Sequence, residues 1–223
     1  MNNIENISKE IKNIFFKKKE IISLYVYGSI LSVKFNPRKS DVDLLLIVKD
    51  LEDPAAFIKE IKNLSGKIKK FKPDINIVFL SEFKKRWHIY RPPSYFIGIK
   101  YSHRIIFGKN LIKSVNDSEL SKHKIYKRVV DLTQGSRGIY LNDKNPIFWR
   151  KKYIRWLRIA VLEVLFLTGE FDLSFDSGLR KLKKKYKKLS FLDKLKKDSL
   201  EMEEINEVAE SLKMFIFNNF IMK

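Results

Sequence analysis

Two short segments at a fixed spacing constrain this chain more than anything else in it. Tyr25-Val26-Tyr27 runs into Gly28-Ser29, and eleven residues later Asp41-Val42-Asp43 opens the apolar run Leu44-Leu45-Leu46-Ile47-Val48. In a strand alternate side chains share a face, so Asp41 and Asp43 point one way while Val42, Leu44 and Leu46 enter the opposite layer. Two carboxylates about 7 Å apart along a strand can converge on a metal ion. An acidic pair heading an apolar strand is costly to bury without a compensating cation, and Mg²⁺ is the usual one at a phosphate site. Gly28 has no Cβ, so a phosphate can come close to the backbone amides there, and Ser29 adds a hydroxyl donor. If Ser29 opens a short helix, that terminus also favours an anion. A third acid, Asp74, heads Asp74-Ile75-Asn76-Ile77-Val78-Phe79-Leu80. From an adjacent strand it would face the same site.

The surrounding pattern divides the chain in two. Ile4, Ile7, Ile11, Ile14 and Phe15 recur at helical spacing. Strand-like runs follow at Leu24–Tyr27, Val42–Val48 and Ile75–Leu80, with a helical stretch from Ala55 to about Leu64 between the last two. After Leu111 the alternating runs stop, and the sequence reads as helices over about 119–141, 147–168, 177–189 and 200–221. The expected class is α+β: a mixed sheet with flanking helices over 1–111, then an all-helical domain over 112–223, with the boundary in the connector Gly108–Asp117.

Composition narrows the function classes. The 223 residues include no cysteine, which removes disulfides, thiolate zinc sites, iron–sulfur clusters and a cysteine nucleophile. The N-terminus lacks an apolar run long enough for a signal peptide, and Ile159–Leu167 is far shorter than a membrane span. A cytoplasmic protein with no membrane partner is expected. The 46 Lys and Arg against 26 Asp and Glu give +20. That excess suits polyanions such as nucleotides or RNA, and it equally fits the lysine-rich surface that an AT-rich coding bias produces.

With Gly28-Ser29, the spacer, Asp41-Val42-Asp43 and Asp74 in place, the chain resembles the nucleotidyltransferase superfamily that shares the polymerase-beta fold. The resemblance covers roughly residues 20–111 and extends to Phe107-Gly108-Lys109-Asn110-Leu111, where Asn110 stands in place of a commoner Asp. It is nearest to the minimal and antibiotic-modifying members. The resemblance implies transfer of a nucleoside monophosphate from an NTP, ATP first among them, to an acceptor hydroxyl with release of pyrophosphate. It also implies that Asp41 and Asp43 hold two Mg²⁺ ions, that Asp74 joins the catalytic metal and helps deprotonate the acceptor, and that Gly28 and Ser29 hold the terminal phosphates.

Other residues bear on the same chemistry. Arg38, Lys39 and Ser40 precede the acidic strand and either assist the triphosphate or form a solvated loop tip. Arg150-Lys151-Lys152-Tyr153 opens the most apolar helix, where Lys151 and Lys152 are candidates for gripping phosphates, against the alternative of an ordinary lysine patch. The run Arg180-Lys181-Leu182-Lys183-Lys184-Lys185-Tyr186-Lys187-Lys188, continued by Lys194, Lys196 and Lys197, reads either as a helix tracking an RNA backbone with Tyr186 stacking, or as a solvated basic face. His88, His103 and His123 share no metal-ligand spacing. The net positive charge favours RNA or a protein side chain as acceptor over a cationic aminoglycoside-like small molecule, and a catalytically idle nucleotide- or RNA-binding module is the alternative from outside enzymology. The preferred base and the oligomeric state leave no trace in the sequence.

Overall fold

The computed structural model describes residues 2–31, 35, 40–86, 94–141, 146–172 and 174–222. Arg38, Lys39, Trp87 and His88 lie outside the described residues. The chain divides into two compact units, Met1–Arg91 with Tyr95–Asn116, and Pro92–Ser94 with Asp117–Lys223.

The first unit runs α1 (Asn2–Phe15), β1 (Ile21–Tyr27), a 3₁₀ turn (Gly28–Leu31), β2 (Val42–Val48), α2 (Pro54–Ser65), a 3₁₀ segment (Gly66–Phe71), β3 (Pro73–Phe79), α3 (Leu80–Lys85), α4 (Tyr95–Tyr101) and β4 (His103–Gly108). The sheet order is β3-β2-β1-β4. β1 pairs antiparallel with β2 and β4, whereas β2 and β3 are parallel. A parallel pair needs a crossover, and α2 with its 3₁₀ extension supplies it. Its start is fixed by Asp53, whose carboxylate accepts from the Ala56 amide at 3.0 Å, and by Pro54 in the first turn.

One face of the sheet makes the core. Leu24 and Val26 of β1 and Leu44, Leu46 and Val48 of β2 pack with Ile7, Ile11 and Phe15 of α1 and Phe57 and Ile61 of α2. This is the alternation read from the sequence, and it sends the acidic positions to the opposite face. β4 escaped the sequence reading. Its apolar content is only Ile105, Ile106 and Phe107, and it is an edge strand paired on one side, so nothing forces a strong alternating pattern.

The second unit contains α5 (Lys122–Leu141), α6 (Pro146–Phe166), α7 (Phe175–Lys185), a 3₁₀ segment (Ser190–Lys196) and α8 (Met202–Ile216), which widens into a π turn over Phe217–Ile221. Val129, Leu157, Val161, Leu165, Leu182, Leu192, Ile205 and Leu212 are buried in it. The helix expected over about 177–189, carrying the basic run 180–197, is corrected in its extent. α7 stops at Lys185, and Tyr186 turns extended, with φ −132° and ψ 97°. A continued helix would stack Lys183 on Lys187 and Lys184 on Lys188 at i,i+4 spacing, which repels. Leaving the helix instead seats the Tyr186 ring 5.0 Å from that of Phe215. No helix among the described residues is long and apolar enough to cross a membrane.

One buried charge pair sits within the apolar packing of this unit. Glu163, 1% exposed, lies 2.7 Å from the Arg128 guanidinium and accepts from the Ser94 amide at 3.1 Å. Replacing Arg128 by Met leaves a buried carboxylate without its cation, with an expected loss of about 3–5 kcal/mol. The double variant Arg128→Met, Glu163→Leu should recover much of that loss, both read by urea denaturation.

Candidate active site

The registers of β1, β2 and β3 build a row of side chains at one end of the sheet. Tyr27 lies opposite Asp43, and Asp43 opposite Asp74. One step further along, Tyr25, Leu45 and Asn76 align in the same way. Both rows are on the face turned away from the core, with neighbouring strands about 4.8 Å apart. Asp41, one residue before β2, shares that face by alternation. Asp43 is half-buried, while Asp41 and Asp74 are exposed.

Gly28 meets this row directly. It has φ +75°, and a Cβ there would stand 2.5 Å from Oδ2 of Asp43. Glycine is therefore required twice, by a left-handed backbone and by the carboxylate beside it. Ser29 follows in the 3₁₀ turn, exposed, with its hydroxyl 3.5 Å from the Asp41 carbonyl, the outer limit of a hydrogen bond. Ser40 is half-buried before the acids. On the other side, the Val42 amide donates to the Lys72 carbonyl at 3.2 Å, and Lys72 takes a left-handed φ of 47° before Pro73. That bend delivers Asp74 to its position opposite Asp43.

Beneath the acids is a polar floor that the sequence reading did not include in the site. The Asn76 amide donates to the Tyr27 hydroxyl at 2.8 Å, and that hydroxyl lies 3.2 Å from the hydroxyl of Tyr95. Tyr27 and Asn76 could have been found, since each shares a strand face with an acid: Tyr27 opposite Asp43, Asn76 two residues after Asp74. Tyr95 could not, because it arrives from α4.

Among the described residues no three His, Cys, Asp or Glu side chains already converge as a metal cage. The donors are nonetheless hard carboxylate oxygens, with the side of Asp43 left open by Gly28. Mg²⁺ is commonly bound through one or two carboxylates, with water and substrate phosphates completing its shell. The set fits that ion.

In the second unit Lys151 is exposed on α6, and the Lys152 ammonium stands 4.9 Å from the ring centres of both Trp149 and Trp156 and 5.4 Å from that of Phe148. The aromatic rings of this helix thus hold a cation. His103 of the first unit contacts the Ile99 carbonyl through Nδ1 at 2.8 Å and packs edge-on to Tyr25, a structural position.

The segment Phe107–Leu111 is tied to the middle of β1. Ser23 and Tyr25 donate their hydroxyls to the Lys109 carbonyl at 2.5 and 2.8 Å, and the Leu111 amide donates back to Tyr25 Oη at 2.8 Å. Burial raises the Tyr25 pKa above its ordinary value, against the smaller opposing effect of its hydrogen bonds. Gly108, at φ +90°, closes the knot, since a Cβ there would stand 2.0 Å from the Ile22 carbonyl oxygen.

Residues 9–90 match the sequence profile of the family described as Polymerase beta, Nucleotidyltransferase. A spectinomycin adenyltransferase from Enterococcus faecialis, solved with ATP and spectinomycin, superposes with a TM-score of 0.57 at 14% identity, over 95% of this chain and 98% of that one. A nucleotidyltransferase-like protein from Exiguobacterium sibiricum gives 0.39 at 12% identity, over 99% and 76%. The tri-AMPylated Shewanella oneidensis HEPN toxin in complex with MNT antitoxin gives 0.32 at 16%, over 62% and 96%. The first likeness establishes a shared fold, while the other two superpose too loosely to carry an argument. No curated protein matches the chain.

Two of the positive-φ glycines, Gly28 and Gly108, make a paired prediction. Gly28→Ala meets a side-chain carboxylate that can swing away, whereas Gly108→Ala meets backbone. Gly28→Ala is expected to cost about 1–3 kcal/mol and Gly108→Ala more. Chemical denaturation of both variants checks the order, and a more damaging Gly28→Ala would contradict it.

Proposed function

We propose that the polymerase-beta-type nucleotidyltransferase domain matched over residues 9–90 is catalytically active, moving a nucleoside monophosphate from an NTP, ATP first, to an acceptor hydroxyl and releasing pyrophosphate. The observation that carries the reading is the single row in which Gly28 abuts Asp43 and Asp43 stands in register with Asp74. A fold inherited without its chemistry has no need for two acids side by side on neighbouring strands, with a glycine held clear of one of them.

In this reading Asp41 and Asp43, with Asp74, would hold Mg²⁺. Bound there, the ion would supply charge neutralisation on the phosphate oxygens. The Ser29 hydroxyl and the amides around Gly28 donate to the terminal phosphates. Asp74 accepts the proton of the acceptor hydroxyl as its oxygen bonds to the α-phosphorus. The bond from that phosphorus to the bridging oxygen breaks, and pyrophosphate leaves with the electron pair. Tyr27, Asn76 and Tyr95 keep the acidic row in place through their shared hydrogen bonds. Ser40, with Arg38 and Lys39 beside it in sequence, is assigned to the phosphates by charge and hydrogen-bonding capacity.

For the acceptor, the +20 charge favours an RNA or protein hydroxyl. A small hydroxyl compound is the second reading, supported by the end-to-end likeness to a spectinomycin adenyltransferase. The protein is placed in the cytoplasm, where NTP and Mg²⁺ are abundant.

Incubation with α-labelled ATP and Mg²⁺, offered RNA, protein and aminocyclitol acceptors in parallel, is expected to label one class and release pyrophosphate. Asp43→Asn should lower that turnover by about 10²-fold or more with an unchanged unfolding midpoint or a slightly raised one, because it removes a metal ligand and relieves carboxylate repulsion. Turnover retained in that variant would sink the site assignment.

A further inference from the structure

The basic run of the second unit does not behave as one solvated face. Lys181 pairs with Asp172, Lys183 and Lys196 with Asp193, Lys185 with Glu170 and Lys194 with Glu207, at 2.5–2.9 Å. Lys187 and Lys188 are exposed and have no ion-pair partner among the described residues. They stand on the lip of a hollow of about 750 Å³ formed where α7 ends and α8 widens into its π turn.

The lining of that hollow carries no carboxylate. Behind the two lysines lie Tyr186 and Phe215, their ring centres 5.0 Å apart, with Phe220 6.0 Å from Tyr186 and 6.1 Å from Phe215. The π turn brings amides to the same wall: the Asn219 side chain donates to the Phe215 carbonyl at 2.8 Å, and the exposed Asn218 side chain has no hydrogen-bond partner among the described residues. π turns are frequent at functional sites.

Three chemistries therefore meet in one open groove: two neighbouring uncompensated ammonium groups, flat apolar rings, and an amide with both donor and acceptor available. An acid-free lining repels cationic ligands. An acidic peptide would leave the rings and the Asn218 amide unused. A chain carrying a phosphate at each step, a planar base with a π face, and polar base edges uses all three. We propose that this groove is a binding site for single-stranded nucleic acid, with Lys187 and Lys188 on the phosphates and Tyr186, Phe215 and Asn218 on a base. The assignment stands on the helical unit alone and does not rest on the transfer reaction.

The test must separate this site from the general pull of a +20 protein. Binding of fluorescent oligo-U and oligo-dT to the full chain is measured by anisotropy across 50–300 mM salt, with a duplex and an inorganic polyphosphate of matched charge as competitors. Lys187→Glu with Lys188→Glu is compared with Arg180→Glu plus Lys197→Glu, which makes the same change in charge outside the groove. The groove pair is expected to weaken single-strand binding at least tenfold and to lower the salt slope by one to two contacts, while the outside pair stays within about threefold. Asn218→Ala, an exposed change, should weaken the oligonucleotide several-fold and leave polyphosphate competition unaltered. Equal losses for the two charge pairs, no preference for single strands over duplex, or no binding to either oligonucleotide would each overturn the proposal. A difference between the two oligonucleotides tells RNA from DNA.

Discussion

The parallel pairing of β2 with β3 is the interaction on which the acidic end of the first unit depends, because side-chain direction in a strand reverses at every residue. With Asp43 opposite Asp74, both acids leave the core face and Ile75 and Ile77 pack beside Leu44 and Leu46. A slip of one residue would drive Asp74 into the apolar layer and push Ile75 out. The apolar pattern and the acid row thus specify the same register. The Val42 amide on the Lys72 carbonyl, with the left-handed turn at Lys72, fixes where that register starts.

The central strands and the acids were legible in the sequence for this reason. Asp41, Asp43 and Asp74 stand out because each interrupts or heads an apolar alternation, and Gly28 because a strand runs straight into it. The amphipathic α1 and the long helices α5, α6 and α8 were legible through their 3.6-residue spacing. What stayed hidden depends on partners distant in sequence. Tyr95 joins the polar floor from α4, 68 residues after Tyr27. β4 is stabilised mainly by its pairing with β1 rather than by its own pattern. The end of α7 was missed because Leu179, Leu182, Tyr186 and Leu189 keep helical spacing through it; the break comes from lysine crowding and from the aromatic partners that await Tyr186 on α8 and its π turn.

The two units handle charge in opposite ways. In the first, acids gather at the adjoining ends of β2 and β3, with no ion-pair partner for Asp41 or Asp74 among the described residues, an arrangement that stays favourable only while both remain exposed to water or to a bound cation. In the second, cations are distributed among acids, aromatic rings and helix ends. Lys152 rests among three rings, Arg158 reaches the carbonyls of Leu195 and Lys197, and Arg128 neutralises the buried Glu163. A formal charge of +20 is therefore a poor guide to where a polyanion would settle. The lysines that retain their full attraction are those left out of these arrangements.

The knot between β1 and the segment after β4 also bears on how the first unit opens. Tyr25 Oη is a donor and an acceptor at once, between the Lys109 carbonyl and the Leu111 amide, and its ring is fully buried in the middle of the sheet. Peeling residues 109–111 away would strand that hydroxyl, with Ser23 beside it, in an apolar interior. Fraying at this point is therefore coupled to loss of the central strand. A stretch that looks like a loop should exchange its amide hydrogens on the timescale of the sheet rather than on that of a connector.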